Sequence, residues 1–231
     1  MARSSPRGPV LAEEPASRSR RVPRQGSSST APPELRDACI AAAREAIARH
    51  GIEGLSLREV ARRLGVSHQA PYKHYPSRDH LLAEVTRRCF QQFAQHLDAR
   101  AHFDDPHEDL EALGHQYLSY ARQHPLEYRL MFGTPWPASA EHAELLHDST
   151  HAFDILRQVL RRIHGSSAKQ RERVDLDAIF VWSAMHGLVG VMNGDCIDRL
   201  GLQQELLAQV VQHVLDGVAR GLGATGSAQS T

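Results

Sequence analysis

Residues 56–79 read SLREVARRLGVSHQAPYKHYPSRD. Ser56 followed three residues later by Glu59 is a capping box, a pair that satisfies free N–H groups at a helix start, and it opens a periodic segment of Leu57, Val60, Ala61 and Leu64. Gly65 ends that segment, because glycine closes a helix in the left-handed conformation without a steric penalty. Ser67 then stands where it can cap a third, short helix. Two short helices across a Gly-containing turn form a helix-turn-helix, whose second helix can enter the DNA major groove while the first crosses the backbone. The end of the stretch, Tyr72-Lys73-His74-Tyr75 with Arg78 beyond it, supplies phenolic hydroxyls, two cationic heads and an imidazole suited to phosphates and base edges. Tyr75 adjoins an apolar helix face and is expected to pack in the core of this unit, and Arg62 and Arg63 to lie on a solvated face.

On the N-terminal side, Leu35, Cys39, Ala42, Ala43, Ala46 and Ile47 mark one face of a helix expected over 33–50 and stopped by Gly51. On the C-terminal side, Ser77 can cap a longer helix whose apolar face is Leu81, Leu82, Val85, Cys89, Phe93 and Leu97. Pro106, Pro125, Pro135 and Pro137 then divide the chain into helical stretches of about 106–124, 126–132 and 138–163. Two more follow, over about 171–192 and 202–222. No segment alternates with the period of two that a half-buried strand requires, so the fold is expected to be all-α.

The chain has 27 Lys and Arg against 27 Asp and Glu, a formal net charge of zero that taken whole argues against a nucleic-acid partner. The charge is unevenly spread, however: residues 1–80 hold 14 basic and 8 acidic side chains, whereas residues 81–231 hold 13 and 19. The positive part includes an arm, residues 1–32, with six Arg, seven Ser and five Pro but four large apolar residues, too few to offset the entropy of ordering it. It is expected to be disordered, and Arg18, Arg20, Arg21 and Arg24 could add salt-sensitive affinity for phosphates.

Other constellations are weaker. Cys39, Cys89 and Cys196 are odd in number and widely spaced, which suits reduced, buried thiols in a cytosol better than a disulfide framework or a zinc knuckle. The N-terminus has no apolar stretch of signal-peptide length, and the longest uncharged run, residues 178–192, is short for a bilayer and reads as a core helix buried on most sides. Gly187, Gly190 and Gly194 in and just after that run look like close-packing positions. His147 and His151 stand one turn apart, with Glu144 a turn earlier, and give the competing reading: a helical enzyme or metal-binding protein. No HExxH, G-x-S-x-G, Walker or GxGxxG pattern accompanies them, so no cofactor, metal or catalytic residue is expected.

The stretch resembles the TetR family of one-component transcriptional regulators over about residues 34–85. The matching residues are His50-Gly51, Ser56-Leu57-Arg58-Glu59-Val60-Ala61, Leu64-Gly65-Val66-Ser67 and Pro71-Tyr72-Lys73-His74-Tyr75-Pro76-Ser77-Arg78-Asp79-His80-Leu81-Leu82. Pro71 departs from the family, which commonly has leucine there; it could distort the recognition helix, although so near a helix start a proline removes at most the first intrahelical bond. Tyr128-Arg129-Leu130-Met131-Phe132-Gly133 and Trp182 with His186-Gly187 resemble a subgroup named for a Trp-His-Gly signature.

The resemblance implies an all-α, N-terminal three-helix helix-turn-helix DNA-binding domain followed by a helical ligand-binding and dimerisation domain. The expected divisions are the arm at 1–32, the DNA-binding domain at 33–79, the regulatory and dimerisation domain at 80–223, and a flexible tail at 224–231. It implies a homodimer through the last two long helices, where Leu206, Leu207, Val210, Val211, Val214, Leu215 and Val218 form an apolar stripe. It also implies a cytoplasmic regulator, most often a repressor, released from a palindromic double-stranded DNA operator by a small-molecule effector, with no membrane partner. Ser67, His68, Gln69 and Lys73 are the candidates for base edges, and Ser56, Tyr72, His74 and Arg78 for phosphates. Tyr117, Tyr120, Phe153, Trp182, Met185 and His186 combine aromatic bulk with polar handles, as a ligand pocket needs, although plain core residues would look the same.

Overall fold

Helix α1 (Pro32–His50) turns the face of Cys39, Ala42, Ala43, Ala46 and Ile47 completely inward. In the computed structural model, which describes residues 32–137, 141–165, 167–193, 201 and 204–223, that face meets Val60 and Ala61 of α2 (Leu57–Leu64) and Leu81 and Val85 of α3 (Arg78–Asp98). Seven further segments of the chain carry the fold onward from α2, all helical among the described residues: a 3₁₀ turn at Pro71–Lys73, then α3, α4 (Pro106–Gln123), α5 (Pro125–Phe132), α6 (Ala143–His164), α7 (Ala168–Asn193) and α8 (Gln204–Gly223). The arm and the tail lie outside the described residues, as do Cys196 and the helix starts expected at Ala138 and Leu202.

Helix α3 is the spine. Its first half packs on α1 and its remainder on α4, α5 and α6, so one continuous core runs from Cys39 through Phe90 and Phe93 to Leu188. Ion pairs fix it on both sides: Arg88 reaches Asp37 of α1 at 3.0 Å, and Arg87 reaches Asp148 of α6 at 3.2 Å. The start of α4 is fixed by a buried cluster. Asp109, 1% exposed, accepts from Arg100 Nε at 3.0 Å and from Arg162, whose other nitrogen donates to the carbonyls of Phe103 and Asp104. A buried carboxylate is tolerable only with this kind of pairing.

Helix α7 departs from the expectation of a helix buried on most sides. By length and composition it could cross a membrane, yet Val174, Ala178, Val181, Met185, Leu188 and Val189 are buried against α4, α6 and α8. Its opposite face is open, with Leu176 66% and Ile179 51% exposed, and Phe180 and Val191 also outside. A side chain at Gly187 or Gly190 would meet no atom within 4 Å, so these glycines are not close-packing positions within the chain. Gly114 on α4 is one: a Cβ there would lie 2.5 Å from Leu215 of α8. Cys39 and Cys89 are free and buried, and burial pushes the Cys89 thiol up to about 12.

Candidate nucleic-acid interface and ligand cavity

The polar head is built from α2 and the segment after it. Ser56 is extended (φ −148°, ψ 150°), and its Oγ accepts from Glu59 N at 3.1 Å, one half of the capping box. The other half is absent: the Glu59 carboxylate instead takes Arg62 Nε at 2.8 Å and Arg63 Nε at 2.7 Å, and the hydrogen bonds from Arg62 hold its carboxyl down at about 2. Arg63 is thereby mostly covered and also reaches Glu45 of α1 at 3.5 Å, while Arg62 stays solvated. Gly65, at φ 66°, closes α2, and Val66 N donates back to Ala61 O at 3.1 Å, the hydrogen bond of a Schellman turn.

The third helix differs from expectation. Ser67 makes no side-chain cap; its carbonyl accepts from Ala70 N at 2.9 Å, and the chain continues through Lys73 N to Ala70 O and His74 N to Pro71 O, links of three residues rather than four. Pro71 supplies the physical reason. It has no N–H for the Ser67 carbonyl, and its ring crowds that carbonyl, so the segment winds as turns and a 3₁₀ helix instead of an α-helix. Pro71 itself is buried and anchors the segment.

This winding leaves Ser67, His68, Gln69, Tyr72 and Lys73 exposed in one short span, with Tyr72 43% exposed. Among the described residues the side chains of His68, Gln69, Tyr72 and Lys73 have no hydrogen-bonding partner; His74 is half-buried. Tyr75 is core, as expected, and its hydroxyl donates to Arg36 O at 3.2 Å. Arg78 has a use the sequence did not reveal: Nε donates to Leu55 O at 3.1 Å and a terminal nitrogen to Ile52 O at 2.7 Å, pinning the loop ahead of α2 to the start of α3. Its remaining donors face Asp79 and solvent.

The second feature is a cavity of about 1100 Å³ in the body, bounded by α3 to α8. Of the expected pocket residues, Tyr117, Phe153, Trp182, Met185 and His186 line it. Tyr120 does not. It lies behind Phe93, with ring centroids 5.0 Å apart, and its hydroxyl is taken by Cys89 O at 3.3 Å, which makes it a core residue. Phe90, Phe93, Phe132 and Trp136 add walls that sequence reasoning missed.

Tyr117, Tyr128 and His186 form the polar centre. The two hydroxyls are 2.8 Å apart, and His186 Nδ1 lies 2.6 Å from Tyr128 Oη and 3.2 Å from Tyr117 Oη. Burial lowers the His186 pKa and raises those of both tyrosines, Tyr128 to about 12, so all three are neutral near pH 7. Both hydroxyls are satisfied when Tyr117 donates to Tyr128 and Tyr128 donates to Nδ1. That leaves His186 Nε2–H, which has no partner among the described residues, as a donor. Tyr128 was within reach of sequence reasoning, since it opens the 128–133 stretch singled out above.

The competing pair is unremarkable in place. His147 is exposed and lies 3.1 Å from Asp148, and Glu144 turns to Arg87 at 3.7 Å. Among the described residues no three His, Cys, Asp or Glu side chains are grouped to hold a metal.

A three-helix head with an open polar edge, carried on a helical body with an internal cavity, is the plan of a helix-turn-helix regulator. Residues 40–85 match the family model for bacterial regulatory proteins of the tetR family, and residues 110–218 match that for the tetracyclin repressor-like C-terminal domain. The chain belongs to the TetR family. HTH-type transcriptional regulators of Mycobacterium bovis and Mycobacterium tuberculosis are 34% identical to it over 92 residues, 38% of this chain and 39% of theirs. The matched region thus spans about two fifths of the length of these curated relatives. Among solved structures, a protein of unknown function from Rhodococcus sp. RHA1 superposes with a TM-score of 0.64 at 25% identity, covering 86% of this chain and 97% of that one. The TetR family regulator PfmR from Thermus thermophilus shares the fold, with a TM-score of 0.56 at 18% identity over 79% of this chain and 97% of its own.

Proposed function

We propose that the protein is a cytoplasmic, dimeric, sequence-specific DNA-binding transcriptional regulator, a repressor released from a palindromic operator by a small molecule, and not an enzyme. The observation that carries this is the row of unpartnered polar side chains on the Ser67–Lys73 span, rigidly backed by buried Pro71 and Tyr75. In this reading residues 33–79 are the DNA-binding domain and residues 80–223 the regulatory and dimerisation domain. Ser67, His68, Gln69 and Lys73 read base edges. Ser56, Tyr72, His74 and the remaining donors of Arg78 meet phosphates, and Arg78 also holds the loop before α2 in place.

The open face of α7, with Leu206 of α8 also exposed, supports a second copy of the chain as its cover, and Gly187 and Gly190 would let a helix approach closely there. Two-fold pairing puts the two heads about 34–36 Å apart, or a multiple of it, on successive major grooves. Regulation follows from α3, which carries Arg78 at one end and Phe90 and Phe93 on the cavity wall. A ligand that favours one position of that helix favours one spacing of the heads.

Selection of bound fragments from random DNA by the full-length protein tests this. Enrichment of a palindrome, with affinity falling steeply as salt rises, is the expected result; absence of any enriched sequence refutes it. A monomeric mass by light scattering at micromolar concentration refutes the dimer.

A further inference from the structure

The cavity's walls and its mouth differ in chemistry. Its walls are aromatic and aliphatic, whereas Glu108 and Glu111 of α4 and Asp216 of α8 line it as exposed carboxylates. Gln212 Nε2 donates to Glu111 Oε1 and to Asp216 Oδ1 at 3.0 Å each, so one amide holds two carboxylates side by side. No lysine or arginine among the described residues lines the cavity to offset them; the imidazoles beside the set are His107, which also lines it, and His115, 3.8 Å from Glu111. The buried carboxylates elsewhere in the body are matched by guanidinium groups, Asp109 by Arg100 and Arg162, Glu84 by Arg87 and Arg88, and Glu127 by Arg44.

We infer that the ligand of this cavity is an elongated, mainly apolar molecule with a cationic end, its body among the aromatic walls and its charge toward Glu108, Glu111 and Asp216. This rests on the reading of the cavity as the effector site. A carboxylate or phosphate ligand would be repelled by all three groups and meet no guanidinium or ammonium, whereas a cation gains from the carboxylates and from the faces of Phe and Trp rings. The scale follows from α4. Glu108 and Glu111 precede Tyr117 by nine and six residues, so their backbone positions lie about 9–14 Å from that of Tyr117 along the helix axis. A chain of about ten carbons spans that distance.

The chain's two tryptophans, Trp136 and Trp182, both line the cavity, so its intrinsic fluorescence reports occupancy there. The test titrates the full-length protein at neutral pH with decyltrimethylammonium, decanol and decanoate, each below its micelle concentration. The ammonium is expected to bind about tenfold or more tighter than decanoate, with decanol between them. In Glu108→Gln/Glu111→Gln/Asp216→Asn, whose folding is checked by circular dichroism, that ratio should fall to within about twofold while decanol affinity is kept. Decanol binding with no advantage for the ammonium, or a ratio the triple variant leaves intact, overturns the charge assignment and leaves the cavity as an effector site. A fluorescence signal unmoved by all three compounds overturns both.

Discussion

The head and the body treat polar side chains in opposite ways. In the interior of the body they are closed on one another: Asp109 with Arg100 and Arg162, and Tyr117 with Tyr128 and His186. In the head, Gln69, Tyr72 and Lys73 are exposed without partners among the described residues, although the residues directly behind them, Pro71 and Tyr75, are buried. Satisfied polar groups hold a fold together, while unsatisfied exposed ones add nothing to stability and remain free for a partner. Stability and recognition should therefore be separable by mutation.

The largest effect is expected in the body. Asp109→Ala leaves Arg100 buried without its counter-charge and should lower unfolding free energy by about 3–5 kcal/mol in urea titrations. Lys73→Ala tests the other side. It should leave the melting temperature unchanged but cost about 1–3 kcal/mol of discrimination between the selected operator and a scrambled one in gel-shift titration. A Lys73→Ala protein that binds the operator with unchanged preference would break the proposed division. Ser56→Ala lies at the border, because Ser56 caps α2 from an exposed position; a stability loss of about 1 kcal/mol is expected by urea titration.

The smallest effect concerns pH. Burial lowers the His186 pKa below the 6.5 of the unfolded chain, so between the two values the unfolded state binds more protons. Stability should thus fall as pH drops below about 6.5. Thermal melts of His186→Gln should show a shallower decline over that window than the parent. Equal slopes would mean that His186 is not shielded as its surroundings indicate.

Most of the helices were legible in the sequence because single residues punctuate them: Gly51, Gly65, Ser77 and Pro106 end or begin elements within a residue of their expected places. Helices α1 and α2 of the head were legible for the same reason, but the span after Gly65 was not, since Ser67 caps no helix and Pro71 winds it as turns and a 3₁₀ helix. What escaped depended on partners far along the chain. Arg78 reads as a free cation until Ile52 and Leu55 offer it their carbonyls, and Tyr120 reads as a pocket residue until Cys89 takes its hydroxyl. That α7 could present a face to a second copy came from the family resemblance alone, because apolar composition around a whole helix says nothing about which side is covered.

Pro71 was also underestimated, and its effect is one of length. A 3₁₀ winding advances about 2.0 Å per residue against about 1.5 Å for an α-helix. Over the two steps from Pro71 to Lys73 that places Lys73 about 1 Å farther along than an α-helical turn would. On the proposed reading of DNA, restoring an α-helical turn with Pro71→Leu should draw in the end of each half-site, which the lengths of sites selected by the two proteins would reveal. One imino acid would then set where along the groove the end of the recognition segment comes to rest.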